Sequence, residues 1–174
     1  MLDLDHQTGQ LANLNLRAEK HGDENVSGAD LKVSIRVSND MLSEFHPSLK
    51  ASFYRAPDPG EMDMVETAEA ASGAPALTRL AFGSKIAGVK WGDEFINVIT
   101  TVHYGTGGKS DIVLNDTTVD NFSFELMDGG TVQITFRVKC IPDEKQIGKL
   151  AGLIGNEIEF SLEQADDSGD INND

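Results

Sequence analysis

The sequence predicts a mainly β fold, an antiparallel barrel or sandwich, with one α-helix at about 142–154 and a shorter helical segment near 40–54. Three observations carry this reading. Apolar residues recur at every second position through 31–37 and 131–139, the period of a half-buried strand. Asp128-Gly129 joins two alternating runs, as a tight two-residue hairpin turn does. Ile147, Leu150, Ala151 and Ile154 instead fall at the helical spacing i, i+3, i+4, i+7.

Taken in order, residues 12–18 read as the first strand and 19–29 (EKHGDENVSGA) as a polar turn. In 31–37, Leu31, Val33, Ile35 and Val37 face one side; Lys32, Ser34 and Arg36 face the other. Met41, Leu42, Phe45, Leu49 and Phe53 give 40–54 the apolar contacts for one or two short helices around Pro47. Residues 56–77 are rich in Pro, Ala, Glu and Gly; a structureless stretch of that length is a mobile or partner-binding arm. Short β-branched and aromatic runs predict strands at 78–82, 86–91, 94–104 and 111–115. Phe122, Phe124 and Leu126 share one face of the hairpin's first strand. Val132, Ile134, Phe136 and Val138 point inward from its second, with Gln133, Thr135, Arg137 and Lys139 outward. Pro142 opens the helix, Asp143 and Glu144 fill its first turn, and Gly155 ends it. A last strand spans 157–163. The whole predicts a single β-rich domain over 1–164, with a disordered acidic tail at 165–174.

Charge divides the chain further. The formal net charge is −15, yet residues 56–77 hold five acids and no base, and the last ten hold four acids and no base. The rest carries only −6. A mildly acidic folded body thus bears two acidic appendages. The single cysteine, Cys140, excludes an internal disulfide and suits a reducing compartment. MLDLDHQTG lacks the features of a signal peptide, and no apolar run reaches the ~18 residues that span a bilayer. The expectation from these features is a cytoplasmic protein that does not enter membranes.

Enzymatic motifs fail on spacing. Gly105-Thr106-Gly107-Gly108-Lys109-Ser110 resembles a phosphate loop, but His103 stands where its first glycine belongs and a strand follows instead of a helix. The histidines at 6, 21, 46 and 103 show no ligand spacing, so no metal or cofactor is expected. Asp111, Asp116 and Asp120 lack the calcium-loop pattern and read as turn residues. Glu157 and Glu159 share a strand face, the position of a solvated pair. No Gly-x-Ser-x-Gly elbow exists. The expectation is a non-enzymatic protein.

A binding face is the positive signal. Lys32 and Arg36 point outward from one strand, Arg137 and Lys139 from another; Lys90 and Trp91 lie on a third and Arg17 ends a fourth. Gathered on neighbouring strands, these cations would neutralise phosphates while Trp91 stacks on a base, the mode of single-stranded nucleic-acid binding. An OB-like barrel with an acidic tail resembles the arrangement of single-stranded-DNA-binding proteins of bacteria and phages, in which the tail recruits partner enzymes. That resemblance implies a role in replication or recombination, with Asp166, Asp167, Asp170 and Asp174 as partner contacts. This tail, ADDSGDINND, lacks the apolar terminal residue of that family. The stretches KHGDENVSGADLKVSIRVSNDMLSEFHPSLKASFYR and TVQITFRVKCIPDEKQIGKL resemble small phage and prophage proteins, which implies phage origin. Two other expectations fit the same chain. One is an acidic DNA mimic that inhibits a host nuclease or defence complex. The other is a structural subunit similar to phage tail-tube proteins, which is homo-oligomeric.

Overall fold

The computed structural model describes residues 2–165. The predicted tail contacts Asp166, Asp167, Asp170 and Asp174 lie outside them. Nine strands are present among the described residues: β1 (Leu4–His21), β2 (Glu24–Ser38), β3 (Tyr54–Arg55), β4 (Arg79–Leu80), β5 (Val89–Trp91), β6 (Phe95–His103), β7 (Ile112–Met127), β8 (Thr131–Cys140) and β9 (Glu157–Gln164). Four α-helices accompany them: α1 (Leu42–Phe45), α2 (Leu49–Phe53), α3 (Met64–Ser72) and α4 (Glu144–Leu153). The protein is mainly β. Its main sheet runs β5-β7-β6-β9-β1-β2-β8, and β8 pairs back onto β7, so six strands close into an OB-like antiparallel barrel. Closure removes the unpaired edges of those six strands. No helix among the described residues is long and apolar enough to cross a membrane. The described residues cluster into two compact units: 2–33, 94–120 and 137–165 form the first; Ser34–Asp93 and Asn121–Phe136 form the second.

In the first unit, β9 lies between β1 and β6, antiparallel to both. The predicted polar turn at 19–29 is mostly strand: only Gly22 and Asp23 separate β1 from β2, with Gly22 at φ 61. Arg17, next to this segment, pairs with Glu19 within it and with Asp30 just beyond it. The strand predicted at 111–115 runs on without a break. Asp116 and Asn121 take left-handed backbone angles, which Asn and Asp tolerate, within a continuous β7 where a turn was expected. α4 begins two residues later than predicted, at Glu144. Asp143 is its N-cap, accepting from Gln146 N while Gln146 Oε1 accepts from Asp143 N, a reciprocal capping box. Gly155 follows at φ 80. Cys140 is buried against Ala29 O, and burial pushes its thiol up to about 12, which leaves it unreactive.

In the second unit, Leu42, Leu49, Tyr54, Phe122, Phe124, Val132, Ile134 and Phe136 are buried. Three residues, not two, turn the β7–β8 hairpin, and Gly129 and Gly130 both have positive φ. Tyr54 clamps its mouth. The hydroxyl is shared between the carbonyls of Met127 (2.9 Å) and Thr131 (2.8 Å) and accepts from Met127 N (3.1 Å). Tyr54→Phe strands these half-buried groups and is expected to cost about 1–2 kcal/mol, read from urea unfolding at fixed m-value.

Residues 56–77, expected as a structureless loop, hold a 3-10 turn at Pro59–Glu61 and the nine-residue α3. Asp63 and Glu66 cap α3 reciprocally. Arg55 grips Glu61 through both carboxylate oxygens (2.8 and 2.9 Å) and holds its carboxyl down at about 2. Arg79 grips Glu66 likewise (3.0 and 2.9 Å). The neutralising bases lie just outside the acidic stretch.

Candidate functional site

The predicted contacts divide between the units. In the first, Arg17 is tied to Glu19 and Asp30. Arg137 donates to both oxygens of Asp120, from Nε at 2.7 Å and Nη2 at 2.8 Å. Lys139 Nζ lies 3.0 Å from the same carboxylate and 3.6 Å from Glu94. Asp120 is buried, and the Arg137 guanidinium holds its carboxyl below the usual carboxylate range against the opposing effect of burial. Arg17 and Lys139 line one shallow cleft, but Glu19 and Asp116 line it with them. Lys32 is exposed. Three of the first unit's predicted cations thus answer internal carboxylates. Asp120 was read from sequence as a turn residue; it is the anchor of a charge triad.

In the second unit, Lys90 pairs in register with Ser123 on β7, whereas Trp91 pairs with Phe122. Successive strand residues alternate faces, so Lys90 shares the outward face of Ser123 and Trp91 the inward face of Phe122. Trp91 is half-buried; its ring lies 6.2 Å from that of Phe124, and its Nε1 donates to Asp93. It does not stand beside Lys90 as a stacking platform. Arg36 is exposed, and its Nε donates to Gln133 Oε1 at 3.1 Å. Gln133 Nε2 reaches Glu125 at 3.5 Å. The outward face of this unit therefore carries Lys90 and Ser123, then Glu125 and Gln133, then Arg36.

A second constellation was not foreseen. His103 pairs in register with Glu159 across β6 and β9. His6 sits at a register shift between Leu4 and Gln7 on β1, with its backbone at φ 46. Its N–H donates to Ser161 Oγ at 3.0 Å. The imidazoles of His6 and His103 stack at 4.0 Å with planes 6° apart. His6 Nδ1 lies 2.7 Å from Asp5, and His103 Nδ1 3.2 Å from Asp111. A carboxylate thus orients each ring. Ligand atoms of His6, His103 and Glu159 lie within 4.8 Å of one another, so these residues could hold a metal. They open onto a polar cleft bounded by the loop Tyr104–Gly108. That loop closes on itself, as Ser110 Oγ donates to Tyr104 O and Gly107 O. It joins β6 to β7 without opening a long helix. The three ligand residues are separated by 97 and 56 positions, so no local motif could reveal them. A scan of family models and searches of curated proteins and of solved structures found no match to the chain.

Proposed function

We propose that the protein is a non-enzymatic, phage-type binding barrel that holds single-stranded DNA during replication or recombination. The observation that carries this reading is the outward face of β5, β7, β8 and β2 in the second unit. Arg36 and Lys90 stand there, both exposed, with no carboxylate salt bridge on either among the described residues. Ser123 and Gln133 between them offer neutral hydrogen-bonding groups. A guanidinium and an ammonium presented this way suit phosphate oxygens. Arg17, Arg137 and Lys139 contribute less to binding, because a phosphate would compete with carboxylates already in place.

The test is fluorescence anisotropy of a labelled oligothymidylate at low salt. Arg36→Ala and Lys90→Ala are each expected to weaken binding about tenfold, one charge-assisted contact of about 1.5 kcal/mol apiece. Two phosphate contacts give a slope of log K against log salt of about −1.4. Glu125→Gln is expected to tighten binding by removing a like charge from the face. Absence of binding at micromolar protein, or binding indifferent to both cation variants, would overturn the reading.

A protein-binding reading, as inhibitor or virion subunit, is favoured by one observation: Met64 and Val65 on α3 are 90% and 66% exposed beside ordered acids. Met64→Asp would abolish such binding and leave oligonucleotide affinity unchanged.

A further inference from the structure

We propose that His6, His103 and Glu159 form a site for a divalent transition-metal ion of the zinc class, which clips β1, β6 and β9 together. Three strands that are neighbours in the sheet but distant in sequence deliver these donors to one face. The donor set is two imidazole nitrogens and one carboxylate, a combination that suits zinc, cobalt or nickel and not the all-oxygen preference of calcium or magnesium.

Two independent features mark the cluster as built for a ligand. Each imidazole already has one nitrogen directed at a carboxylate, Asp5 for His6 and Asp111 for His103. That is the outer arrangement that fixes ring orientation and turns Nε2 away from the carboxylate; His103 Nε2 meets Ser161 Oγ at 2.9 Å, the contact a metal would replace. His6 also holds a left-handed backbone at an irregular point of β1. Few residues with a β-carbon take that conformation, and such positions concentrate at ligand clamps. Without the irregularity, strand alternation would carry His6 off the face shared by Glu159 and Ser161.

The geometry needs one adjustment. The rings lie parallel, so their in-plane lone pairs do not converge on one point. His6 Nε2 is 3.8 Å from Glu159 Oε1, and zinc–ligand bonds of about 2.0–2.2 Å require donors nearer to ~3.4 Å apart. His6, with 59% of its side chain exposed, is free to turn. His103 stays oriented by Asp111 through Nδ1 and exchanges the Ser161 contact of its Nε2 for the metal. Water completes four-coordination.

The test uses the full chain stripped with a chelator and titrated with zinc at pH 7.5 by calorimetry, with Co²⁺ absorption as the readout of coordination. The expected result is one ion per chain at micromolar affinity or better, a higher melting temperature with zinc, and the visible spectrum of low-coordinate cobalt. His6→Ala and Glu159→Gln, both exposed positions, are expected to keep the circular-dichroism spectrum and weaken binding about tenfold or more. His103→Ala is less useful because that side chain is half-buried. Absence of stoichiometric binding would overturn the proposal. So would binding that survives both variants, which places the ion at His21 or His46.

Discussion

Phe124→Ala is expected to lower the unfolding free energy by about 3–5 kcal/mol, the largest effect of any substitution considered. The cost combines the lost transfer of a buried ring with the cavity it leaves. Phe124 is 1% exposed and has no route to collapse. On one side, Phe45 meets it edge-on, with ring centres 4.9 Å apart at 61°. On another, Trp91 lies 6.2 Å away. Phe45 also meets Phe122 edge-on at 5.1 Å, and Phe122 lies 5.8 Å from Phe136. Removing Phe124 therefore forfeits area burial and two oriented aromatic contacts, each worth roughly 0.5–1.5 kcal/mol beyond area. Phe45→Ala, at a half-buried position, is expected to cost less. Urea unfolding of the two variants measures both values; a loss under about 1 kcal/mol for Phe124→Ala would mean that this aromatic cluster is not packed as described.

Asp120→Asn is expected to cost about 2–3 kcal/mol at pH 7. Asp120 is buried and answers two cations, Arg137 through a two-point contact and Lys139 at 3.0 Å. Breaking a buried charge pair costs roughly 3–5 kcal/mol when the remaining charge has nowhere to go. Here Arg137 and Lys139 keep 39% and 32% of their side chains exposed, so water recovers part of that loss. The effect depends on pH in a definite direction. Asp120 has a folded-state pKa below its unfolded value. Its stabilisation is therefore complete above the unfolded pKa of about 3.9 and disappears as pH falls through the folded value. The stability gap between wild type and Asp120→Asn should narrow between pH 5 and the acid limit of folding. Denaturant titrations at pH 7 and near pH 3 check this; an undiminished gap would show that the carboxylate's charge is not what stabilises the triad.

How much of this was legible in the sequence depends on what each element buries. The strands around Val33, Ile35, Ile134 and Phe136 declared themselves because one face fills an apolar interior, so alternation survives in the residue order. α4 did so through its apolar spacing. The far ends of β1 and β2 did not. Their side chains near Arg17, Glu19 and Glu24 are polar on both faces, and a strand without an apolar face reads as a turn. α3 escaped for a related reason: none of its residues is buried, and its order comes from capping by Asp63 and Glu66 and from Arg79, which lies outside the segment. The outward direction of Arg36, Arg137 and Lys139 was readable, but not the carboxylate that waits for two of them on β7. Trp91 was grouped with Lys90 by adjacency, although neighbours on a strand face apart. His6 and His103 met only because β1 and β6 flank β9, which is information about topology and not about local pattern.

The most direct test of the binding account locates the contact itself. A 5-bromouridine-substituted single strand, photocrosslinked to the full chain and mapped by mass spectrometry, is expected to label peptides carrying Arg36 or Lys90. The yield should fall with rising salt and be lost in the Arg36→Glu/Lys90→Glu double variant. Crosslinks confined to peptides elsewhere, or labelling unchanged in that variant, would contradict the claim that this face of the barrel holds the strand.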